Sequence, residues 1–461
     1  MIKFGTDGWR AIIADEFTFE NVKKVSQAIA DYLKKRRKSK VVIGYDRRFL
    51  SKEFAETAAS VLCANNLKVV LSDTEVPTPA VSWQCRYKKF DLGIVITASH
   101  NPAKFNGLKI KTPQGGSADK DLTNEVESLL GKTKIKAIEL SRAKEKKILK
   151  VCDLSSEYVS FLKKFVDLKK IRKLKLKVLV DVMYGAGDDY VERILGKGNV
   201  SIDYLHNETN PSFAGTNPEP VESNVSELIK IMKSGKYDLG VILDGDADRI
   251  AMIDGKGNYI NAQVILPLLA MHMIKNRKIA LGIGKTVVGS DVIDKVALDL
   301  GVACYETPIG FKYISSLFEE GLIAIGGEEA GGIGFHGYVP ERDGSASFLL
   351  LLEMLSYENK KFNTLLAEFY KKYGKYYYSR MAIPVKSVKR NLSDMKIPEA
   401  LYGKKLERVN TLDGIKLITK DNWLMFRKSG TEPIVRVYAE SRSKKEADRL
   451  IALGEKMIYA L

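Results

Sequence analysis

The chain has 461 residues, 45% of them apolar and 28% charged, and a formal net charge of +17. That length exceeds one ordinary core and predicts about three or four domains, while no apolar run approaches the ~18–20 residues of a membrane span. The N-terminus "MIKFGTDGWRA" lacks the pattern of a secretory leader, and Cys63, Cys85, Cys152 and Cys304 form no CxxC pair, which fits reduced thiols in a cytoplasmic protein, not a zinc site or disulfide frame.

In chain order, a first strand, "KVVIGYDRR", runs into a helical stretch and a second strand, "LKVVLSDTEVPTP". A third, "KFDLGIVITASHNP" at 89–102, delivers Ser99 and His100 to a polar loop, and Lys109 follows in "FNGLK". A hydrolase pairing is poorly supported. Ser99 lacks the G-x-S-x-G setting, and adjacent residues on a strand or turn usually point apart, so His100 is badly placed as its base. Loop hydrogen bonding is the plainer role for His100.

Between 131 and 177 there are 16 Lys/Arg against five Asp/Glu, much of the net positive charge. Such a segment can bind phosphate backbones. With no RNP, zinc-finger or helix-turn-helix pattern, it reads as a solvated surface where two domains join.

The three-strand pattern then recurs as "KVLVDVMYGAG", "VSIDYLHNETNP" and "KYDLGVILDGDADR" at 236–249, and again as "KTVVGSD", "VACYETPIG" and "EGLIAIGGEEAGG" at 320–332. In "DGDADR" three carboxylates, Asp244, Asp246 and Asp248, stand beside Arg249 at a strand end. Close like charges call for a cation, and hard oxygen ligands favour Mg²⁺ or Ca²⁺. An EF-hand does not fit, since Arg249 and Gly255 stand where Gly and Glu belong, so Mg²⁺ with phosphate chemistry is the better match. In the third repeat "GGEEAGG" offers two carboxylates as acceptors for sugar hydroxyls and "TPIGFK" brings Lys312 toward the same cleft, though each is also an ordinary turn. "GIGKT" at 282–286 is not a P-loop, because Ile279 stands where the first glycine belongs. Near the end, "RKSGTEP" combines Arg427, Ser429, Gly430 and Thr431, a set that reads as a phosphate cradle.

Strands alternating with helices predict parallel sheets with right-handed crossovers and ligands at the strand carboxyl ends. The fold class expected is α/β: three related mixed or parallel-sheet α/β domains (1–150, 151–255, 256–374) plus a smaller C-terminal α+β domain (375–461) around a central cleft.

In that order, "TASHNP", "DGDADR", "GEEAGG" and "RKSGTEP", with "FGTDGWR" at the start, resemble the α-D-phosphohexomutases over essentially the full chain. The resemblance implies reversible interconversion of hexose 1- and 6-phosphates through a phosphoserine and a hexose 1,6-bisphosphate. Ser99 is then the phosphoryl carrier, and Asp244, Asp246 and Asp248 hold one Mg²⁺ with an oxygen of phospho-Ser99. Lys109 is the general acid/base, its pKa expected to be lowered beside Mg²⁺ and arginine. Arg10 and His100 complete the catalytic group. Arg249, Lys312, Glu328, Arg427, Ser429, Gly430 and Thr431 bind substrate, and glucose 1,6-bisphosphate serves as activator. The partners implied are small hexose phosphates, with no membrane or nucleic acid, and a monomer or homodimer. Ala330 and Gly332 replace a serine and a histidine of many relatives. The Glu-Glu start of the sugar loop resembles phosphoglucomutase-type members, so glucose is favoured over mannose. "ERDG" at 341–344 resembles a segment near that loop, with Arg342 where some relatives carry Lys. Three alternatives stand beside this reading: a phosphoglucosamine mutase; a phosphotransferase using Asp244 as nucleophile; and a nucleic-acid-binding protein using 131–177, with degenerate catalytic loops.

Overall fold

A computed structural model of the chain describes residues 2–5, 7–384, 391–429 and 434–461. The first sheet holds β1 (Trp9–Ile12), β2 (Lys40–Tyr45), β3 (Lys68–Ser72), β4 (Leu92–Ile96), β5 (Phe105–Lys111) and β6 (Leu149–Cys152), in the order β1-β5-β4-β2-β3-β6. The second holds β7 (Leu176–Asp181), β8 (Val200–Leu205), β9 (Leu239–Leu243), β10 (Ile250–Asp254) and β11 (Tyr259–Ile260), ordered β11-β10-β9-β7-β8. The third holds β12 (Gly282–Thr286), β13 (Cys304–Thr307), β14 (Ile323–Gly327) and β15 (Ile333–Phe335), ordered β13-β12-β14-β15.

The three sheets share one unit. Two parallel strands are joined by a helix, a third parallel strand lies beside the first, and that third strand turns back into an antiparallel partner. Every residue of β4, β9 and β14 is buried, as strands covered on both faces must be. Their reversing loops, 97–104, 244–249 and 328–332, are therefore carried by fully buried strands.

Two boundaries and one strand differ from the sequence reading. β6 pairs with β3 and carries the first sheet past residue 150. The second sheet runs on to Ile260, because β10 and β11 form a hairpin that no helix separates. The first strand of the third unit is Gly282–Thr286, starting ahead of "KTVVGSD", because Lys285 is itself a buried strand residue. That lysine pairs with Asp294, which disposes of any phosphate role for "GIGKT".

A helix at Gly344–Glu358 is buried from Gly344 through Leu355 and joins the second and third domains in one apolar core. The last domain is an antiparallel sheet of β16 (Tyr377–Pro384), β19 (Arg408–Asn410), β20 (Ile415–Ile418), β21 (Trp423–Lys428) and β22 (Ile434–Ser441), while β17 (Ala400–Leu401) and β18 (Lys404–Lys405) form a separate ribbon. The helix Lys444–Tyr459 covers the sheet; Ser443 caps it by accepting from the Glu446 N–H at 3.2 Å. Trp423, Met425 and Tyr438 pack against Val287 and Val288 and dock this domain on the third.

Among the described residues no helix is long and apolar enough to cross a membrane. The lysines of 131–177 lie mostly exposed on the stretch from the first sheet into the second, as a solvated junction should.

Candidate active site

Each of the three reversing loops contains one residue in the left-handed region: Ser99 (φ 51°), Ala247 (φ 56°) and Gly331 (φ 105°). For a serine that conformation persists only when its surroundings over-determine it. Here they do. The Ser99 N–H donates to Thr97 Oγ1 at 2.8 Å, and Arg48 donates from Nη2 to the Ser99 carbonyl at 2.5 Å. The same guanidinium also holds the carbonyls of Asn101, Pro102 and Phe105. Arg48 is buried against Asp46, so one ion pair shapes the whole serine loop. It escaped the sequence reading although it lies in the quoted "KVVIGYDRR".

The fully buried Ser99 donates its hydroxyl to Asp244 Oδ2 at 3.0 Å. Asp244 Oδ1 accepts the backbone N–H groups of Asp248 (3.0 Å) and Arg249 (3.1 Å), so this carboxylate also folds its own loop. Gly245 sits so close to Ser99 that a Cβ there would lie 2.5 Å from the Ser99 carbonyl oxygen. Only glycine allows the serine and acidic loops to meet this closely.

Asp246 Oδ2 accepts from the Thr78 hydroxyl (2.5 Å) and Lys109 Nζ (2.8 Å); Asp248 Oδ2 accepts from Lys109 Nζ (3.0 Å) and Arg342 Nη2 (2.7 Å). The opposite oxygens, Asp246 Oδ1 and Asp248 Oδ1, are buried with no hydrogen-bond partner, although Arg249 Nε stands 3.7 Å from Asp248 Oδ1. Buried carboxylate oxygens are costly to leave unmatched. Asp244, Asp246 and Asp248 present ligand atoms within 4.8 Å of one another, and this donor set fits a hard divalent cation.

Burial and the neighbouring Asp248 and Asp246 push the Asp244 carboxyl well above its ordinary range. Burial works the same way on Asp246, but Lys109 and Thr78 overcome it and hold that carboxyl low. The expected lowering of the Lys109 pKa rested on Mg²⁺ and arginine, and the carboxylates around it act the other way. Burial does pull it down, yet Asp246, Asp248 and Asp7 raise it above the ordinary lysine value, so it stays an ammonium.

Asp7 is the second residue that sequence reasoning missed. Its Oδ2 lies 2.8 Å from Lys109 Nζ, 2.7 Å from Arg342 Nη2 and 3.2 Å from Arg10 Nη2. Arg10 also donates from Nη1 to Asn101 Oδ1 at 2.8 Å, placing it over the serine loop. His100 Nδ1 stands 3.4 Å from Ser99 Oγ. The left-handed turn at Ser99 brings these neighbours together where an extended strand would part them. Burial, with Arg249, Arg10, Lys109 and Arg48 nearby, keeps that imidazole neutral.

Arg249 Nε lies 3.7 Å from both Asp244 and Asp248, and its backbone bridges Gly332 of the sugar loop. Glu328 Oε2 accepts from Arg342 Nη1 at 3.0 Å. Lys312 faces Lys120, Asp119 and Asp121 of the first domain, and no contact joins it to the acidic cluster. Arg427 donates from Nε to Asp413 Oδ2 at 2.8 Å, an oxygen that also accepts the Ile309 N–H at 2.9 Å. It stands directly across the ladder from Arg436, so two guanidiniums share one face beside Ser429. Gly430 and Thr431 lie outside the described residues.

Three repeated α/β units and a capping fourth domain, converging a buried serine on a carboxylate cluster and a lysine, define a phosphoryl-transfer enzyme. Sequence models of phosphoglucomutase/phosphomannomutase domains match in order: alpha/beta/alpha domain I at 1–136, domain II at 156–257, domain III at 261–373 and the C-terminal domain at 381–453. The chain belongs to this family. A phosphoglucomutase/phosphomannomutase of Thermococcus kodakarensis is 33% identical, covering 99% of this chain and 98% of its own. A phosphoglucosamine/phosphogalactosamine mutase of Sulfurisphaera tokodaii is 32% identical with the same coverage. A solved protein of Thermus thermophilus, assigned as a phosphomannomutase, superimposes with a TM-score of 0.87 at 31% identity over 99% of each chain.

Proposed function

We propose that this phosphohexomutase carries its phosphoryl group on Ser99, uses Mg²⁺ at Asp244, Asp246 and Asp248, and interconverts glucose 1-phosphate and glucose 6-phosphate. The observation that carries the reading is the buried Ser99 hydroxyl, 3.0 Å from an aspartate of a cluster in which two carboxylate oxygens accept no hydrogen bond. When bound, Mg²⁺ neutralises charge on the transferring phosphoryl group. Everything else falls to the chain.

Phospho-Ser99 gives its phosphoryl group to the free hydroxyl of a hexose monophosphate. The P–Oγ bond breaks, a P–O bond to the sugar forms, and the hydroxyl proton passes to Ser99 Oγ. Lys109, kept an ammonium by its three carboxylates, gives a proton to Oγ and recovers one from the sugar hydroxyl. Neutral His100 is a hydrogen-bonding neighbour of Oγ, and Arg10 steadies the serine loop. The 1,6-bisphosphate then turns over and returns its other phosphate, which is why the same compound activates an unphosphorylated enzyme. Arg427, Ser429, Gly430 and Thr431 cradle the phosphate that is not reacting; Glu328, Lys312 and Arg249 receive the sugar. The rival scheme, with Asp244 as nucleophile, leaves the buried Ser99 and its Arg48-held loop without a role. The four free cysteines support a reducing, cytoplasmic setting.

The test is peptide mapping by mass spectrometry after incubation with Mg²⁺ and glucose 1,6-bisphosphate, followed by assays on glucose, mannose and glucosamine phosphates. A phosphoryl group on the Ser99 peptide and fastest turnover of glucose phosphate are expected. A phosphoryl group on Asp244 overturns the carrier assignment, and faster turnover of glucosamine phosphate moves the substrate to the chemistry of the Sulfurisphaera relative's name.

A further inference from the structure

We propose that Arg342 is a positioning residue that couples the sugar loop to the phosphoryl site, one guanidinium carrying the state of Glu328 to Asp248 and Asp7. The inference rests on Ser99 being the carrier and adds a link that the reaction scheme itself does not require.

The contacts span three domains. Nη1 donates to Glu328 of the third at 3.0 Å, while Nη2 donates to Asp248 of the second and Asp7 of the first, each at 2.7 Å. The residue is 3% exposed, and its Nε has no hydrogen-bond partner. A guanidinium is planar and rigid, so a shift at Nη1 is felt at Nη2. The two residues that follow it tie the chain to the ends of both loops it serves. The Asp343 N–H donates to the Ile333 carbonyl after the sugar loop, and the Gly344 N–H donates to the Ala247 carbonyl within the acidic loop, each at 3.0 Å. Asp343 also caps the buried helix Gly344–Glu358 and accepts from Tyr158 and Tyr338, so the arginine stands beside a tightly held helix start.

Gly332 supplies a second, independent observation. A Cβ there would stand 2.1 Å from Cδ of Arg342, so the space beside the sugar loop is filled by the arginine stem. Any side chain at 332 would displace the guanidinium. The bare glycine and the arginine therefore form one device.

When a sugar hydroxyl donates to Glu328, that carboxylate must share its lone pairs and its hold on Nη1 changes. Nη2 then regrips Asp248 and Asp7, the residues that hold Lys109. The functional consequence is selectivity for the acceptor: the phosphoryl group leaves Ser99 when a sugar is seated and stays when only water is present.

The experiment uses the full chain phosphorylated with glucose 1,6-bisphosphate and freed of sugar. Single-turnover decay is followed with and without saturating glucose 6-phosphate, reading the ratio of phosphoryl groups captured by sugar to those lost to water. Arg342→Lys keeps the charge and the fold but lacks the fork. It is expected to lower that ratio about tenfold, within the ordinary range of coupling between sites, with the melting temperature little changed. Gly332→Ala, which displaces the guanidinium, is expected to shift the ratio in the same direction. Wild-type ratios in both variants overturn the coupling role while leaving the carrier assignment intact. A wild-type protein that takes no phosphoryl group on Ser99 overturns both.

Discussion

The loops at 244–249 and 328–332 leave their sheets at the same place, where a buried third strand reverses into an antiparallel partner, yet they have opposite characters. The acidic loop is sealed: Asp244, Asp246 and Asp248 are all 0% exposed, and their outer oxygens are matched by Ser99, Lys109, Thr78 and Arg342. The sugar loop is half-open, with Glu328, Glu329 and Ala330 each partly exposed. Topology sets where a loop emerges, and its neighbours set what it can do. Buried carboxylates with two oxygens left over suit a cation that remains in place. Partly exposed carboxylates suit a sugar that must enter, turn over and leave.

The sharpest way to break the comparison is at the residue the sealed loop serves. Ser99→Ala is expected to reduce mutase turnover by at least about a thousandfold with folding intact, because the carrier oxygen itself is gone. Circular dichroism with a coupled glucose 6-phosphate assay checks it, and activity near wild type overturns the mechanism. Asp246→Asn comes next. It removes one charge from the cluster and should weaken the Mg²⁺ half-saturation about tenfold to a hundredfold, read by titrating activity and by calorimetry with Mg²⁺ alone. An unchanged titration takes Asp246 out of the metal site. Glu328→Gln probes the open loop and should raise KM by about tenfold, since a charged acceptor becomes neutral. An equal loss confined to kcat would mean that Glu328 does not seat the sugar and acts on the phosphoryl site alone.

The smallest effect concerns the fourth domain. Glu440 is buried where this domain docks on the third, accepting the Asp291 N–H and the Trp423 Nε1–H, and burial with nearby Asp291 pushes its carboxyl up to about 7. The folded chain therefore keeps a proton that the unfolded chain releases near its ordinary value. Stability accordingly falls as pH rises from about 4.5 to about 7 and levels off beyond. Glu440→Gln, neutral throughout, should flatten that part of a melting-temperature profile. An unchanged slope would place the titration elsewhere.

Much of this was legible in the one-dimensional pattern. Apolar runs ending in "TASHNP", "DGDADR" and "GGEEAGG" announced three equivalent strands with a loop apiece, because a strand buried on both faces must be a continuous apolar run and must end where polar residues begin. The residue types of the acidic loop carried their own chemistry, so the three aspartates read as cation ligands from the residues alone, while the roles of Ser99, Lys109 and Glu328 came from the resemblance to the α-D-phosphohexomutases. Element edges were less legible, as at β12, where a buried lysine hides the strand's true start.

Only the tertiary structure decided who faces whom. Asp7 and Arg342 are 335 residues apart and 2.7 Å apart in space; Arg48 drew no role from the sequence, yet it grips four carbonyls in and just after the serine loop. The sign of the Lys109 shift belongs to the same class, since it depends on which of burial and three distant carboxylates prevails. Local periodicity and residue chemistry act over a few positions and are written in the chain. Charge balance in a buried site is a sum over neighbours that only folding brings together.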